Sequence, residues 1–267
     1  MIVMITTTFA ISKGGVGKSL VTANVGAALA KRGSQVVLVE GDPNHPLQLI
    51  LGVYIDPKDT ELDDVIKKDS AIENVIHPTS INNLSILPSG ISLQKYFDID
   101  LVRFVKKIVN AKADFLFIDV PFPLGNAAFL SLGMCDYFIP ILTEDEFPLC
   151  IESALDTIRV GKYYLRCLPL GFILNRIKSR DRFTGTSVRD LEELLDLPCI
   201  TLIREDNQVS KSYGGASSEE AFLAYDVLQK TEFSRSIDKI ADLLLGKLPE
   251  PRKKDPAKFL TEIMKVG

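Results

Sequence analysis

No run of 18 apolar residues occurs in the 267-residue sequence, so no membrane-crossing helix is expected. No basic region and no cleavage site accompany the apolar N-terminus, which therefore reads as a first core strand and not as a signal peptide. No CxxC pair exists among Cys135, Cys150, Cys167 and Cys199. Scattered in this way they are expected to be free thiols of a cytoplasmic protein, with neither a disulfide nor a structural metal. Positive charge is not in excess either: 31 Lys and Arg stand against 35 Asp and Glu, for a net charge of −4 and a pI near 5.4. The field of the whole molecule thus does not favour nucleic acid. Internal repeats are absent as well. What is present is the balance of an ordinary globule, 46% hydrophobic and 25% charged, in a chain long enough for one large α/β domain.

Apolar runs of strand length alternate with helical patterns along most of the chain, which predicts a doubly wound, mainly parallel sheet with helices on both faces. Strands are expected at 1–11, 35–40, 84–87, 114–119, 137–142, 168–174 and 199–203. Helices are expected at 20–31, 61–68, 101–110, 127–134, 149–164 and up to 195, with a helix-rich stretch to 245. Asp42 to Pro46 reads as a break. Residues 1–246 form the expected domain. Gly246 to Pro256 is a linker by composition, and 257–267 is a short amphipathic segment.

The stretch Ser12-Lys13-Gly14-Gly15-Val16-Gly17-Lys18-Ser19 joins the first strand to the first helix. A strand, a glycine-rich turn and a helix in that order make a phosphate cradle, because glycines let backbone N–H groups converge on an anion. Lys18 is placed to reach β- and γ-phosphates and the Ser19 hydroxyl to ligate Mg²⁺. Asp119 ends an apolar strand whose C-terminal end belongs beside the loop in a parallel sheet. It is a candidate metal carboxylate, directly or through water. Glu40 and Asp42, two residues apart at another strand end, point to one side of the extended chain. They either serve the site or solvate that strand end.

Ser12 replaces the glycine of a strict phosphate-loop pattern, and Lys13 is an added lysine ahead of the double glycine. That combination resembles the deviant Walker A signature of the MinD/ParA family of dimerising ATPases, with MinD-like proteins the nearest in kind. The resemblance runs from residue 1 to about 245. It implies a slow ATPase that binds ATP or ADP with Mg²⁺, forms an ATP-dependent homodimer and positions cellular machinery on a surface, together with a protein partner that the sequence does not name. By the same likeness Lys13, with Lys18 and Asp42, is catalytic, Lys13 by crossing to the partner subunit's phosphates and Asp42 by orienting the attacking water. Nucleotide contacts fall on Lys13, Gly14, Gly15, Val16, Gly17, Lys18 and Ser19 and, at the base, on Asn175, Arg176, Glu205 and Asp206. The metal ligands are Ser19, Asp42 and Asp119. An asparagine at 175 suits adenine's paired donor and acceptor, and Arg204 stands where the family usually has proline.

One departure bears on turnover. Pro123 occupies the position, after the Asp119 strand, where relatives carry a glycine N–H near the γ-phosphate, and proline has none. Weakened hydrolysis, or an adaptor with little turnover, is the corresponding alternative. A DNA-partition ATPase is the other, against which the net charge weighs. The cations Arg176, Lys178, Arg180 and Arg182 form either a contact loop or a solvated one. The last 21 residues carry six cations and three anions, with Phe259, Leu260, Ile263 and Met264 on one helical face. That face suits peripheral membrane contact through 257–267, or packing against the domain.

Overall fold

The computed structural model describes residues 4–42, 44–56, 71–88, 106–108, 111–119, 131–179, 183, 185–214, 223–253 and 255–264. The helix expected at 61–68 and the segment with Pro121, Pro123 and Gly125 lie outside them, as do Pro43, Arg180, Arg182 and Lys254.

The strands are β1 (Ile5–Phe9), β2 (Val36–Glu40), β3 (His77–Pro78), β4 (Leu84–Leu87), β5 (Phe115–Asp119), β6 (Tyr137–Ile139), β7 (Ile141–Thr143), β8 (Leu168–Pro169), β9 (Phe172–Ile177) and β10 (Cys199–Arg204). One sheet has the order β3-β4-β2-β5-β1-β6-β8 and a second the order β10-β9-β7. All pairs are parallel except β3 with β4, an antiparallel edge. The sheets are continuous in course. Pro140, which has no N–H, separates β6 from β7 where a single strand 137–142 was expected, and Leu170-Gly171 separates β8 from β9. Hydrogen bonds from Leu170 N to Phe138 O (3.1 Å) and Ile173 N to Pro140 O (2.9 Å) carry the pairing across both breaks.

The main helices are α1 (Lys18–Lys31), α2 (Pro46–Leu51), α3 (Phe147–Arg159), α4 (Gly185–Leu195), α5 (Asn207–Gly214), α6 (Ala224–Val227), α7 (Glu232–Leu245) and α8 (Pro256–Met264). Residues 106–108 and 131–134 are also helical. α3 continues as a π-helical turn over Val160–Tyr164. α1 is buried from Val21 to Ala30 among α2, α7 and the sheet, which explains its run of alanine and valine in place of a polar face. Every residue of β2 and β5 is buried, as expected for central parallel strands covered on both faces. The break expected at 42–46 ends sooner than its composition implies: Pro46 itself opens α2, where its fixed φ and missing N–H cost nothing.

β1 lies between β5, from later in the chain, and β6, later still. Strand order reverses there, so the chain leaves a crevice beyond the C-terminal end of β1. The glycine-rich turn follows β1 directly into that crevice.

Candidate functional site

The loop from Ile11 to Gly17 turns back through two glycines in left-handed backbone, Gly15 (φ 72°) and Gly17 (φ 90°). Gly17 precedes α1, whose first turn carries neither a side-chain cap nor an acidic residue. Its first N–H groups are therefore left for an anion, with the positive end of the helix dipole behind them. A β-carbon on Gly17 would lie 2.5 Å from Nδ2 of Asn175, in addition to the unfavourable φ. Gly17→Ala is expected to weaken nucleotide affinity at least about tenfold by displacing the loop, since backbone held outside its favoured region costs roughly 1–3 kcal/mol. Titration calorimetry checks this, and an unchanged affinity would mean that the loop accommodates the methyl group.

Lys18 is buried, and its ammonium reaches back to donate to the carbonyl of Lys13 at 3.2 Å. Burial pulls its pKa down, while the charges of Asp119 and Asp42 act in the opposite direction. Asp119 is 1% exposed, and neither carboxylate oxygen has a hydrogen-bond partner of ordinary geometry. Burial raises its pKa to about 7, partly offset by the neighbouring Ser19 hydroxyl and by Lys18. A buried carboxylate left without donors, facing a hydroxyl at the start of a helix, fits a hard cation that also takes phosphate oxygens. Among the described residues no group of three or more His, Cys, Asp and Glu side chains could hold a metal by itself. A Mg²⁺ ion shared with phosphates is thus the form of site these residues suit.

Glu40 and Asp42 part company. Glu40 is completely buried and accepts hydrogen bonds from Leu47 N (2.8 Å), Gln48 N (3.1 Å) and Gln48 Nε2 (2.6 Å), with His45 Nδ1 at 3.1 Å. Asp42 is half-buried at the cavity wall, where its Oδ1 accepts from Asn44 N and Nδ2, both at 2.9 Å.

The cavity has a volume of about 730 Å³. Residues 14–19, Asp42 and Leu49 line one side, and Asn175, Arg176, Glu205 and Asp206 line the other. Asn175 is buried, and its Nδ2 donates to Val16 O at 2.7 Å, so one of its two N–H donors is engaged with the phosphate loop in this structure. Arg176, in left-handed backbone, donates to Gly15 O (3.2 Å) and approaches Glu205 at 3.4 Å. Arg204 approaches Glu232 at 3.6 Å. Ile203, Val209 and Phe233 add apolar wall to the same cavity, a lining that no motif announced.

Residues 4–160 match the family described as an AAA domain. The chain is 36% identical over 264 residues to an uncharacterized ATP-binding protein of Methanocaldococcus jannaschii, covering 96% of this chain and 94% of that one. It is 28% identical over 194 residues to the sporulation initiation inhibitor protein Soj of Bacillus subtilis, covering 68% of this chain and 75% of that protein. The septum site-determining protein MinD of Pyrococcus horikoshii, solved as a complex with Mg-ADP, superposes with a TM-score of 0.76. It is 26% identical and covers 90% of this chain and 96% of that one. The chain belongs to the MinD/ParA family of ATPases.

Within this MinD/ParA protein the signature Lys13 does not project freely. Its ammonium donates to Asp145 O at 3.1 Å and pairs with Glu146 at 3.1 Å. The acidic run Glu144-Asp145-Glu146 between β7 and α3 was missed by sequence reasoning. Three acids directly after an apolar strand, in a sheet with the phosphate loop, were the available signal. Asp145 also pairs with Lys178 (3.0 Å) and lies 3.8 Å from Arg176, so two of the four cations counted at 176–182 meet an acid and not only solvent. Lys178 holds the Asp145 carboxyl below the usual range. Glu144 is buried and accepts from the N–H groups of Lys178 (2.8 Å) and Ser179 (3.0 Å).

The C-terminal segment of this family member is laid against the domain. Phe259 and Leu260 are buried and Ile263 is half-buried against the core; the side chain of Met264 lies outside the described residues. Leu260 occupies the space above Gly133, where a β-carbon would come within 2.5 Å of it. Lys253 is buried, and its ammonium donates to the carbonyls of Leu132 (2.9 Å), Leu165 (3.1 Å) and Cys135. Tyr137 donates to Pro249 O at 2.5 Å. The stretch read by composition as a linker therefore carries specific contacts. The four cysteines are free, with Cys135, Cys150 and Cys167 buried. No helix among the described residues is long and apolar enough to cross a membrane.

Proposed function

We propose that this protein is a Mg²⁺-dependent ATPase switch that dimerises on ATP and releases the dimer on hydrolysis. The observation that carries the reading is the buried Asp119 carboxylate, without a well-formed hydrogen bond, beside Ser19 and Lys18 at the foot of an uncapped helix. Those groups suit a nucleotide's phosphates and their metal. Ser19 and Asp119, with Asp42 nearby, are the residues that would hold Mg²⁺, which supplies neutralisation of phosphate charge when bound. Lys18 releases the Lys13 carbonyl and turns to the phosphates. Asp42 orients the attacking water. Asn175 and Arg176 support the cradle from beneath, and Glu205 and Asp206 stand at the base end.

Lys13 completes the switch by leaving Asp145 and Glu146 for the phosphates of a second subunit, so that ATP becomes part of the interface and binding and dimerisation are linked. Attachment to a membrane through 257–267 would require α8 to leave the domain, because its apolar face is turned inward. The favoured reading of the segment is a packing helix, with surface attachment supplied by a protein partner. The DNA-partition alternative has the acidic net charge against it.

The test is molecular mass in solution with ADP and with a non-hydrolysable ATP analogue, alongside phosphate release. Wild type is expected to double in mass only with the analogue. Lys13→Ala is expected to bind nucleotide within about threefold of wild type, since Lys18 serves the subunit's own phosphates, and to lose the dimer. A variant that dimerises as well as wild type would remove Lys13 from the interface.

A further inference from the structure

The geometry points to Glu40 as a positioning residue for turnover, holding Asp42 in place by capping α2 from the neighbouring strand. This inference rests on the reading of Asp42 as the residue that orients water.

A short helix needs acceptors for the N–H groups of its first turn. α2 does not supply its own: its cap residue, His45, sits in left-handed backbone (φ 54°), and its side chain caps none of that turn's backbone N–H groups, meeting the Gln48 side chain instead (2.8 Å). Glu40 provides what His45 does not. Its Oε1 accepts from both Leu47 N and Gln48 N, and its Oε2 from Gln48 Nε2, with His45 Nδ1 within 3.1 Å. An ionised acceptor at a helix start is stronger than a neutral cap. Full burial of Glu40 leaves little water to replace those bonds if its charge is lost.

The consequence falls on the residues between the strand and the helix. Gly41 N donates to Asp119 O at 2.7 Å, which ties one end to the metal-side strand. In register, Glu40 lies opposite Asp119. At the other end His45 N donates to Asp42 O at 3.0 Å, and Asn44 gives two hydrogen bonds to Asp42 Oδ1. The orientation of the Asp42 carboxylate therefore depends on where residues 44 and 45 sit, and Glu40 sets that by holding the turn that follows. All four contacts of Glu40 go to residues 45–48, not to the loop at 12–19 that cradles phosphate.

The experiment compares full-length wild type, Glu40→Gln and Ile50→Ala for ATP affinity, phosphate release and thermal midpoint. Ile50 is buried at the far end of the same helix and serves as a stability control. Glu40→Gln is expected to lower kcat roughly 10- to 100-fold, the scale of a misplaced catalytic group, with ATP affinity unchanged within about threefold. Ile50→Ala is expected to lose comparable thermal stability and keep its turnover. Gln48→Leu, which leaves the charge and the backbone donors in place, should give a smaller fall in kcat and covers the case in which Glu40→Gln does not fold. Equal kcat in Glu40→Gln, or in Gln48→Leu should Glu40→Gln not fold, and in Ile50→Ala overturns the inference, as does a loss of affinity matching the loss of turnover. A wild type that releases no phosphate sinks the ATPase reading and this inference with it. Turnover in wild type with none lost in Glu40→Gln sinks the inference alone.

Discussion

Lys18→Ala is expected to reduce ATP affinity by about 100- to 10,000-fold, and ADP affinity by less because ADP has no γ-phosphate. A charge-assisted hydrogen bond to an ionised group contributes roughly 1.5–3 kcal/mol, and the ammonium serves two phosphates. Two such interactions correspond to about 3–6 kcal/mol, and each 1.4 kcal/mol is tenfold in affinity. The change also acts on the free protein. Lys18 closes the loop by donating to the Lys13 carbonyl, and alanine leaves that carbonyl without its donor. The remaining cradle keeps its N–H groups and the helix dipole, which accounts for residual weak binding. Calorimetry with both nucleotides measures the effect. ATP affinity within tenfold of wild type would move the phosphates away from this loop.

Lys253→Ala is expected to destabilise the fold by about 3 kcal/mol, since it strands three carbonyls that the ammonium now serves. For a chain of this size that is a fall in thermal midpoint of roughly 6–12 °C. The carbonyls of Leu132 and Cys135 close the helical turn at 131–134, and that of Leu165 follows the π-helical turn after α3. Unpaired carbonyls at helix ends are where a cation is most favourable. The ammonium also lies 5.8 Å from the centre of the Phe259 ring, with the Arg166 guanidinium 5.1 Å from the same ring. Lys253→Met keeps the bulk beside Phe259 and removes the donor, so it separates packing from hydrogen bonding. A midpoint within 2 °C of wild type in both variants, about the shift that 1 kcal/mol gives at this size, would show that residues 249–264 contribute little to the fold. Nucleotide affinity should stay as in wild type, because Tyr137 and Pro249 meet at the start of β6 while the cavity opens beyond the strands' other ends.

Sequence alone determined the parts of this protein that are local. The strand, glycine turn and helix at 5–31 are written in consecutive residues, and the N–H groups of the cradle all come from them, although Asn175 and Arg176 brace the loop from a distant strand. Alternating strands and helices likewise fixed a parallel sheet, and with it the approach of Asp119 to Ser19 across the β1–β5 pair. Tertiary structure decided what depends on contacts between distant residues. By residue chemistry alone Glu40 and Asp42 were two acids at one strand end, and only the resemblance favoured Asp42; the folding of α2 over β2 is what made Glu40 a buried cap and left Asp42 at the cavity wall. The acidic loop that holds Lys13 comes 132 residues later and carries no motif. The amphipathic tail gave the same periodicity for a lipid surface as for a protein surface. The choice fell to Gly133, whose missing side chain admits Leu260, and to three backbone carbonyls that accept Lys253. An apolar stripe records only that a face is to be buried; what buries it is a matter of shape and unpaired polar groups elsewhere in the chain.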